Sequence, residues 1–485
     1  MQINLKNSLT KTIDSFAPRD GKTVKMYSCG PTVYNFAHIG NMRAFLFADF
    51  LQRVLRVVGG YDVKWVMNIT DIDDKTIKGS SPGSSDWKPE MGVQTQDLKH
   101  NLMKYTHYYE QLFLEDIFTL GIRIEHFFAM PKATDFIGQM QTLIKQIKDN
   151  GFAYISEGSV YFSVSEWRKA DKYGKLFNID FDNFRAGVRI DADEYEREDA
   201  SDFVLWKAKK ENEPFWDFEI NGQNYPGRPG WHIECSAMEK ELLGLPFEIH
   251  TGGVDLKFPH HEDEIAQSKA GYGIEPTDFW CHNEFLEVEG EKMSKSKGNF
   301  FTLRELIQRG IDPLDIRFAM QSVHYGSIYN FTFDGLKAFA KARQRIQNYI
   351  YDLFNETEGN VETDKINQLR ENVFGNLAND LHSPSALGEL FTFMNETPAN
   401  NLSKSAKQEA IRFFTQLNDI FSIWQISAKP EEKPDIPTEI INLAKQRLYA
   451  KREKDFSKAD ELRKQILEKG YLIKDSKDDY TIEKM

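Results

Sequence analysis

Cysteine is scarce in this chain. Three residues among 485, at positions 29, 235 and 281, are too few and too scattered for a disulfide framework, so the thiols are expected to be reduced and available. Long apolar runs are missing as well: none approaches the roughly 20 residues needed to cross a bilayer. The opening MQINLKNSLT has neither the apolar core nor the cleavage-like site of a signal peptide. A cytoplasmic protein with no membrane association is expected. Internal repeats are absent and positive charge is in deficit. A formal net charge of -13 argues against a nonspecific polyanion binder, but the deficit is uneven. From Ile441 to the end, 12 basic residues face 9 acidic ones. Any contact with nucleic acid is therefore expected to be local and to concentrate toward that end.

What is present is the alternation of an open parallel sheet. VKMYSC (residues 24–29) reads as a strand ended by the turn GPT, and DVKWVMNIT (62–70) as a second strand. Between them, Phe45, Ala48, Leu51, Val54, Leu55 and Val58 recur at helical spacing up to the breaker GG. Strand, helix, strand is the unit of sheets whose ligands bind beyond the carboxyl ends of the strands. CGPTVYNFAHIGN and NITDIDDK sit at two such ends. GSSPGSS (79–85) reads as a flexible loop, and sheet-like segments return at WHIECSAM, PFEIHTGG and FWCHNEFLEV. The expected architecture is α/β, with a Rossmann-like parallel-sheet domain in two halves (1–120 and 226–285) around an inserted α/β domain (121–225). A loop region (286–335), a helical bundle (336–430), the linker AKPEEKPDIP and a small C-terminal domain (438–485) follow.

Two stretches carry chemistry. EKMSKSKGNF places Lys292 and Lys295 beside serines and before Gly298, on a loop where ammonium groups can neutralise phosphates and small neighbours allow movement. FPHHEDE (258–264) would suit a metal site, an acid/base pair or a capped helix start. If a helix starts near Pro259, a favoured first position, His260 and Glu264 lie on one face and can share a metal, while His261 points about 100° away. Glu262 and Asp263 then need only the preference for acids in a first helical turn. TDIDDK (70–75) reads the same way, as acids opening a helix, and Cys281 as a small apolar residue in a strand.

KMSKS (292–296) and HIGN (38–41), in this pairing and order, resemble the two signatures of class I aminoacyl-tRNA synthetases. CGPTVYNFAHIGN, NITDIDDK, DFVLWK, PGRPGWHIECSAM, FPHHEDE and EKMSKSKGNFF are similar, in that order, to the cysteinyl-tRNA synthetase family. The resemblance covers residues from about 5 to Phe331, and more weakly to the end. It implies ATP-dependent activation of L-cysteine, with Mg2+ accompanying ATP, and transfer of the amino acid to the 3' end of tRNA(Cys). It places His38, Gly40, Asn41, Asp255, Lys292 and Lys295 around ATP, with Gly40 where a side chain would obstruct the nucleotide. Asn41 stands where a second histidine is commoner, and keeps a hydrogen-bond donor. Thr70, Trp231 and His232 would line the cysteine site, and His250 and His261 belong to a histidine-rich lining.

With the resemblance, Cys29 and Cys235 join His260 and Glu264 in a set of two thiolates, one imidazole and one carboxylate, whose borderline-soft character suits one Zn2+. Zinc would hold the substrate as a thiolate and reject serine without an editing site. Residues 443–475 resemble the family's anticodon domain. Asp460 and Asp475 would accept from exocyclic amines of unpaired bases, and Lys451 stands where arginine is usual. A monomer is implied. Two rival readings are an ATP-dependent cysteine ligase acting on an amino sugar, and a noncatalytic zinc-binding RNA-interaction protein.

Overall fold

The computed structural model describes residues 1–178, 202–294, 298–430, 437–452, 455–475 and 480–484. Five strands form the central sheet: β1 (Thr23–Ser28), β2 (Asp62–Met67), β3 (Phe127–Ala129), β4 (Phe247–Gly253) and β5 (Thr277–Asn283). Their order is β5-β4-β1-β2-β3, and every neighbouring pair is parallel. Side chains alternate between faces, and both faces are covered. Val24, Met26, Val63 and Trp65 enter one hydrophobic core, whereas Tyr27 and Val66 enter another. Burial on both sides is why these strands read as nearly continuous apolar runs.

Helix α1 (Ile39–Val57) joins β1 to β2, and its apolar stripe, including Phe45, Leu51 and Val54, is buried in the first core. The chain winds from β1 toward β2 and later enters β4 on the other side of β1. Such a reversal opens a crevice at the carboxyl ends of the strands. There Ser28 Oγ lies 2.6 Å from Thr251 Oγ1 and accepts from Trp65 Nε1 at 2.8 Å.

Between β3 and β4 the helix Ile137–Asp149 precedes a four-stranded antiparallel sheet. Its strands are Ala153–Ser156, Ser159–Phe162, Phe203–Ala208 and Gly227–Pro229, in sequence order. Met140, Leu143, Phe162 and Trp206 from this insertion share the second core with Tyr27 and Phe247. WHIECSAM, expected as sheet-like, is instead the start of helix α2 (Trp231–Leu242). Every residue from His232 to Glu239 is buried. A helix buried all round shows no polar stripe, so its period cannot be read from the sequence. Helix α3 (His260–Tyr272) follows β4 and ends at Gly273, whose φ of 72° suits the left-handed position after a helix.

GSSPGSS is not wholly loop, because Gly79 and Ser80 close the helix Asp74–Ser80. Beyond β5, the helices Phe333–Leu353, Thr363–Ala378, Ser383–Glu396 and Lys404–Phe421 contribute Ile350, Phe374, Leu390 and Phe413 to the first core. The first compact unit therefore runs from Met1 to Ile426. The second, Ser427–Met485, holds the helices Thr438–Arg452 and Phe456–Glu468 around Ile440, Ala444 and Ile466. It also contains an antiparallel hairpin, Tyr471–Asp475 with Tyr480–Lys484. The expected linker lies largely in 431–436, outside the described residues. Among the described residues no helix is long and apolar enough to cross a membrane.

A buried ion cluster ties α1 to the helical part of the first unit. Asp49 accepts from Arg53 Nε at 2.9 Å and from Arg317 Nη2 at 2.6 Å, with all three side chains nearly inaccessible. Arg317 also donates to the Leu120 and Phe421 carbonyls, and Arg53 to those of Gly121 and Asp419. Burial alone would raise the Asp49 carboxyl, but Arg317 and Arg53 outweigh it and hold it well below the usual carboxylate range. A folded-state value below the unfolded value, about 3.9, means stabilisation that is present above it and lost as pH falls toward the folded value. Asp49→Asn is expected to destabilise the first unit by about 3–5 kcal/mol at pH 7. In urea denaturation, the gap from wild type should narrow below about pH 4.

Candidate active site

Cys29 is the first residue after β1, Cys235 lies on α2, and His260 and Glu264 lie one turn apart on α3. Their four ligand atoms all fall within 4.8 Å of one another. Cys29 Sγ is 3.9 Å from Cys235 Sγ and 3.9 Å from Glu264 Oε1, Cys235 Sγ is 3.5 Å from His260 Nε2, and His260 Nε2 is 2.8 Å from Glu264 Oε1. Two sulfurs bound at ~2.3 Å to a tetrahedral ion stand about 3.8 Å apart, so the observed sulfur spacing fits a shared metal. The expected pairing of His260 with Glu264 on one helical face is present.

The neighbouring histidines orient this set. His232 Nδ1 lies 2.8 Å from His260 Nδ1, which leaves His260 Nε2 turned toward Cys235 and Glu264. Trp231 stacks on the His260 ring with centroids 4.2 Å apart. His250 Nε2 is 2.8 Å from both Glu264 Oε2 and Glu239 Oε1. His261 does leave the face of His260, yet it stays at the site: its Nε2 is 3.4 Å from Cys29 Sγ and its Nδ1 is 2.8 Å from His282 Nε2. Cys29, His250, His261 and Glu264 thus form a second, overlapping set within the same 4.8 Å. A position on the helix was too coarse a guide, because Cys29 lies between the two histidines.

Charged groups at the site balance one another. Burial pushes the Cys29 thiol up to about 12 and the Cys235 thiol well above its ordinary value. Burial opposes charge on His260 and His250 too, but Glu264 outweighs it and both imidazoles rise to about 10. In return, His250 and His260 overcome the burial of Glu264 and hold it at about 2. Burial and the surrounding imidazoles push His261 well below its ordinary value. An incoming cation would displace protons from both thiols and from His260, so metal capture at this site releases protons.

Acids next to these ligands have jobs that the helix dipole does not cover. Glu262 accepts the backbone N–H groups of Gly174, Lys175 and Leu176 at 2.6, 3.0 and 2.9 Å, and Asp263 accepts from the Tyr173 hydroxyl. Both anchor the insertion beside α3. In TDIDDK, Asp73 caps the helix Asp74–Ser80 through the Lys75 N–H, while Asp74 pairs with Lys207 at 2.8 Å and with Arg228. Cys281 is buried in β5 within the first core.

HIGN forms the start of α1. His38 is the N-cap: its Nδ1 accepts from Asn41 N–H and Asn41 Oδ1 accepts from His38 N–H, both at 3.2 Å. Asn41 therefore completes a capping box. A Cβ on Gly40 would come within 2.6 Å of Met293 Cε and 2.9 Å of the His38 ring. Met293, inside KMSKS, thus packs where the HIGN glycine leaves room. Ile39 N–H donates to the Phe301 carbonyl at 3.0 Å, so HIGN is also joined to the segment that follows KMSKS. Lys292 is exposed, with Nζ 5.5 Å from the Phe285 ring centroid. Asn299 spans the loop, accepting from Ser294 N–H at 2.8 Å and donating to the Lys292 carbonyl at 3.2 Å. Lys295 lies outside the described residues.

Asp255 is exposed on the turn that follows β4, and Thr70 is buried with its hydroxyl 2.9 Å from Glu234 Oε2. In the second unit, Asp460 is exposed on the helix Phe456–Glu468, Lys451 is partly buried near the end of the preceding helix, and Asp475 ends a strand of the hairpin. Sequence reasoning missed Glu234, Glu239, His282, Met293 and Asn299 as neighbours of the site. Only their adjacency to Cys235, Cys281 and KMSKS could have pointed to them.

The family model for the tRNA synthetases class I (C) catalytic domain matches residues 15–341. A cysteine–tRNA ligase from Brachyspira hyodysenteriae is 42% identical over 483 residues, covering 97% of each chain. This chain belongs to the cysteine–tRNA ligase family. A second cysteine–tRNA ligase, from Solibacter usitatus, is 41% identical over 485 residues with 98% of each chain covered. Among solved structures, methionyl-tRNA synthetase of Mycobacterium tuberculosis in complex with methionyl-adenylate matches with a TM-score of 0.56 at 12% identity. That match covers 83% of this chain and 92% of the other, and it is a likeness of fold. The ligase is thus a class I aminoacyl-tRNA synthetase on a Rossmann-like sheet.

Elemental analysis of the ligase is expected to find one bound transition metal ion per chain. Cys235→Ala should weaken its retention by more than the roughly 10–100-fold that follows loss of a ligand's hydrogen-bond partner.

Proposed function

We propose that the ligase holds Zn2+ through Cys29, Cys235, His260 and Glu264 and uses the site to select L-cysteine for activation with Mg2+-bound ATP. The single observation that carries this reading is the convergence of those four donor atoms within 4.8 Å at the switch point of the sheet. Bound there, zinc would supply a soft Lewis-acid position that favours a substrate thiolate over the far less acidic hydroxyl of serine. The protein residues then do the positioning. His260 is oriented by His232, and Trp231 packs on its ring, where it would close the small side-chain pocket.

The amino end of α1, capped by His38, offers a favourable dipole to the ATP phosphates. His38 and Asn41 sit beside them, Lys292 and Lys295 neutralise the triphosphate, and Asp255 faces the ribose hydroxyls. A cysteine carboxylate oxygen attacks the α-phosphorus and pyrophosphate leaves. The terminal adenosine hydroxyl of tRNA(Cys) then attacks the adenylate carbonyl carbon, loses its proton and expels AMP. No covalent enzyme intermediate is required, since such sites work by positioning and electrostatic stabilisation.

The terminal unit, with Lys451, Asp460 and Asp475, is the proposed reader of the anticodon, and the ligase acts as a cytoplasmic monomer. Transfer to an amino sugar and a noncatalytic RNA-binding role are less favoured, because the relatives named cysteine–tRNA ligase match along nearly the full chain.

The decisive experiment is exchange of labelled pyrophosphate into ATP. It should depend on L-cysteine, with serine at least about 100-fold poorer; exchange that ignores cysteine would overturn the reading. Lys295→Ala should lower the single-turnover rate of adenylate formation by about 10²–10³-fold, with a much smaller change in ATP affinity. An unchanged rate would remove Lys295 from the phosphate site.

A further inference from the structure

Cys29 and Cys235 approach one point from segments far apart in the chain, and a line of buried hydrogen bonds joins them from behind. The backbone N–H of Gly30, next to Cys29, donates to Asn68 Oδ1 at 2.8 Å. Asn68 Nδ2 donates to Thr70 Oγ1 at 3.2 Å, and that hydroxyl donates to Glu234 Oε2 at 2.9 Å. Glu234 immediately precedes Cys235, whose Sγ lies 3.9 Å from Asn68 Oδ1. The line therefore closes into a ring that contains both cysteine ligands. Asn68, Thr70 and Glu234 are 2%, 1% and 0% exposed, so water does not compete for the two bonds among them.

The polarity of the ring is set at one end. A backbone N–H can only donate, which obliges Asn68 to present its oxygen to Gly30 and its NH2 to Thr70. The Thr70 hydroxyl, having accepted, passes its proton onward, so position 234 must offer an acceptor. Contact reinforces the bonds: a Cβ on Gly30 would stand 1.6 Å from the Asn68 carbonyl oxygen, so the turn carrying Cys29 is seated on the end of β2.

We propose that Asn68 and Glu234 are positioning residues for the metal centre, holding Cys29 and Cys235 through Thr70 at the separation one ion can bridge. This inference rests on the metal reading above and adds residues outside the set of four donors. Outer hydrogen-bond partners of this kind set metal affinity because ligands that are already in place lose less freedom on binding.

The test is titration of the metal-free ligase with Co2+, read by the thiolate-to-cobalt absorption band and by competition with a chelator. Asn68→Asp has the same shape and keeps the acceptor for Gly30, but loses the donor to Thr70. It should bind Co2+ about 10–100-fold more weakly, with a shifted band. Glu234→Met should weaken binding to a similar extent, whereas Glu234→Gln, which retains an acceptor oxygen, should stay within about threefold of wild type. Thermal unfolding of the metal-free variants separates a folding defect from lost preorganisation. Wild-type affinity and spectrum in Asn68→Asp and Glu234→Met, or a Glu234→Gln as weak as Glu234→Met, would overturn the inference alone. A wild-type protein without the thiolate band would overturn the metal reading and this inference with it.

Discussion

The carboxylate of Asp49, buried between Arg53 and Arg317, sets the geometry on which the active site depends. Asp49 and Arg53 belong to α1, whose first turn carries the HIGN signature, and Arg317 belongs to the helix Pro313–Ser322 that follows KMSKS in the chain. A buried charge has no solvent to fall back on, so each partner must stay where it is. The guanidinium groups extend that constraint by donating to carbonyls at the ends of two further helices. With α1 anchored this way, the Ile39 N–H reaches the Phe301 carbonyl and Met293 fits against Gly40. The HIGN turn thus meets KMSKS through the Met293 side chain and the segment just beyond it through the Phe301 backbone.

The metal-ligand cluster meets the same physical difficulty by another route. Glu264 is completely buried, and the His250 and His260 imidazoles keep it ionised. His232 backs His260, and His282 backs His261. Such layers of imidazole orient the donor atoms toward one point, and their mix of sulfur, nitrogen and oxygen suits a soft cation. The crevice itself comes from the sheet: Cys29 sits where β1 ends, and α3, which brings His260 and Glu264, begins just after β4 ends.

Local signals carried the reading a long way. α1, the strands around Tyr27 and Trp65, and the pairing of His260 with Glu264 follow from periodicity and spacing over a few residues. Reading failed where burial or distant partners removed the signal. α2 has no exposed face from His232 to Glu239, so a helix there resembled a buried strand. The terminal hairpin involves YTIEK (480–484), a short segment whose strand character depends on pairing with Tyr471–Asp475. Glu262 and Asp263 matched the helix dipole, yet their carboxylates bind the insertion.

By itself, the sequence determined the fold class and the family, and it set His260 and Glu264 one turn apart, because motif order and helical spacing are properties of the chain. Tertiary structure decided the rest. That Cys29 and Cys235 stand 3.9 Å apart, that His261 stays beside Cys29, and that Asn68 and Glu234 back both thiols all depend on where distant segments pack. The physical reason is range: helical spacing is set over a single turn, whereas a shared ligand centre requires several strand ends and helices to be held in place together by buried contacts.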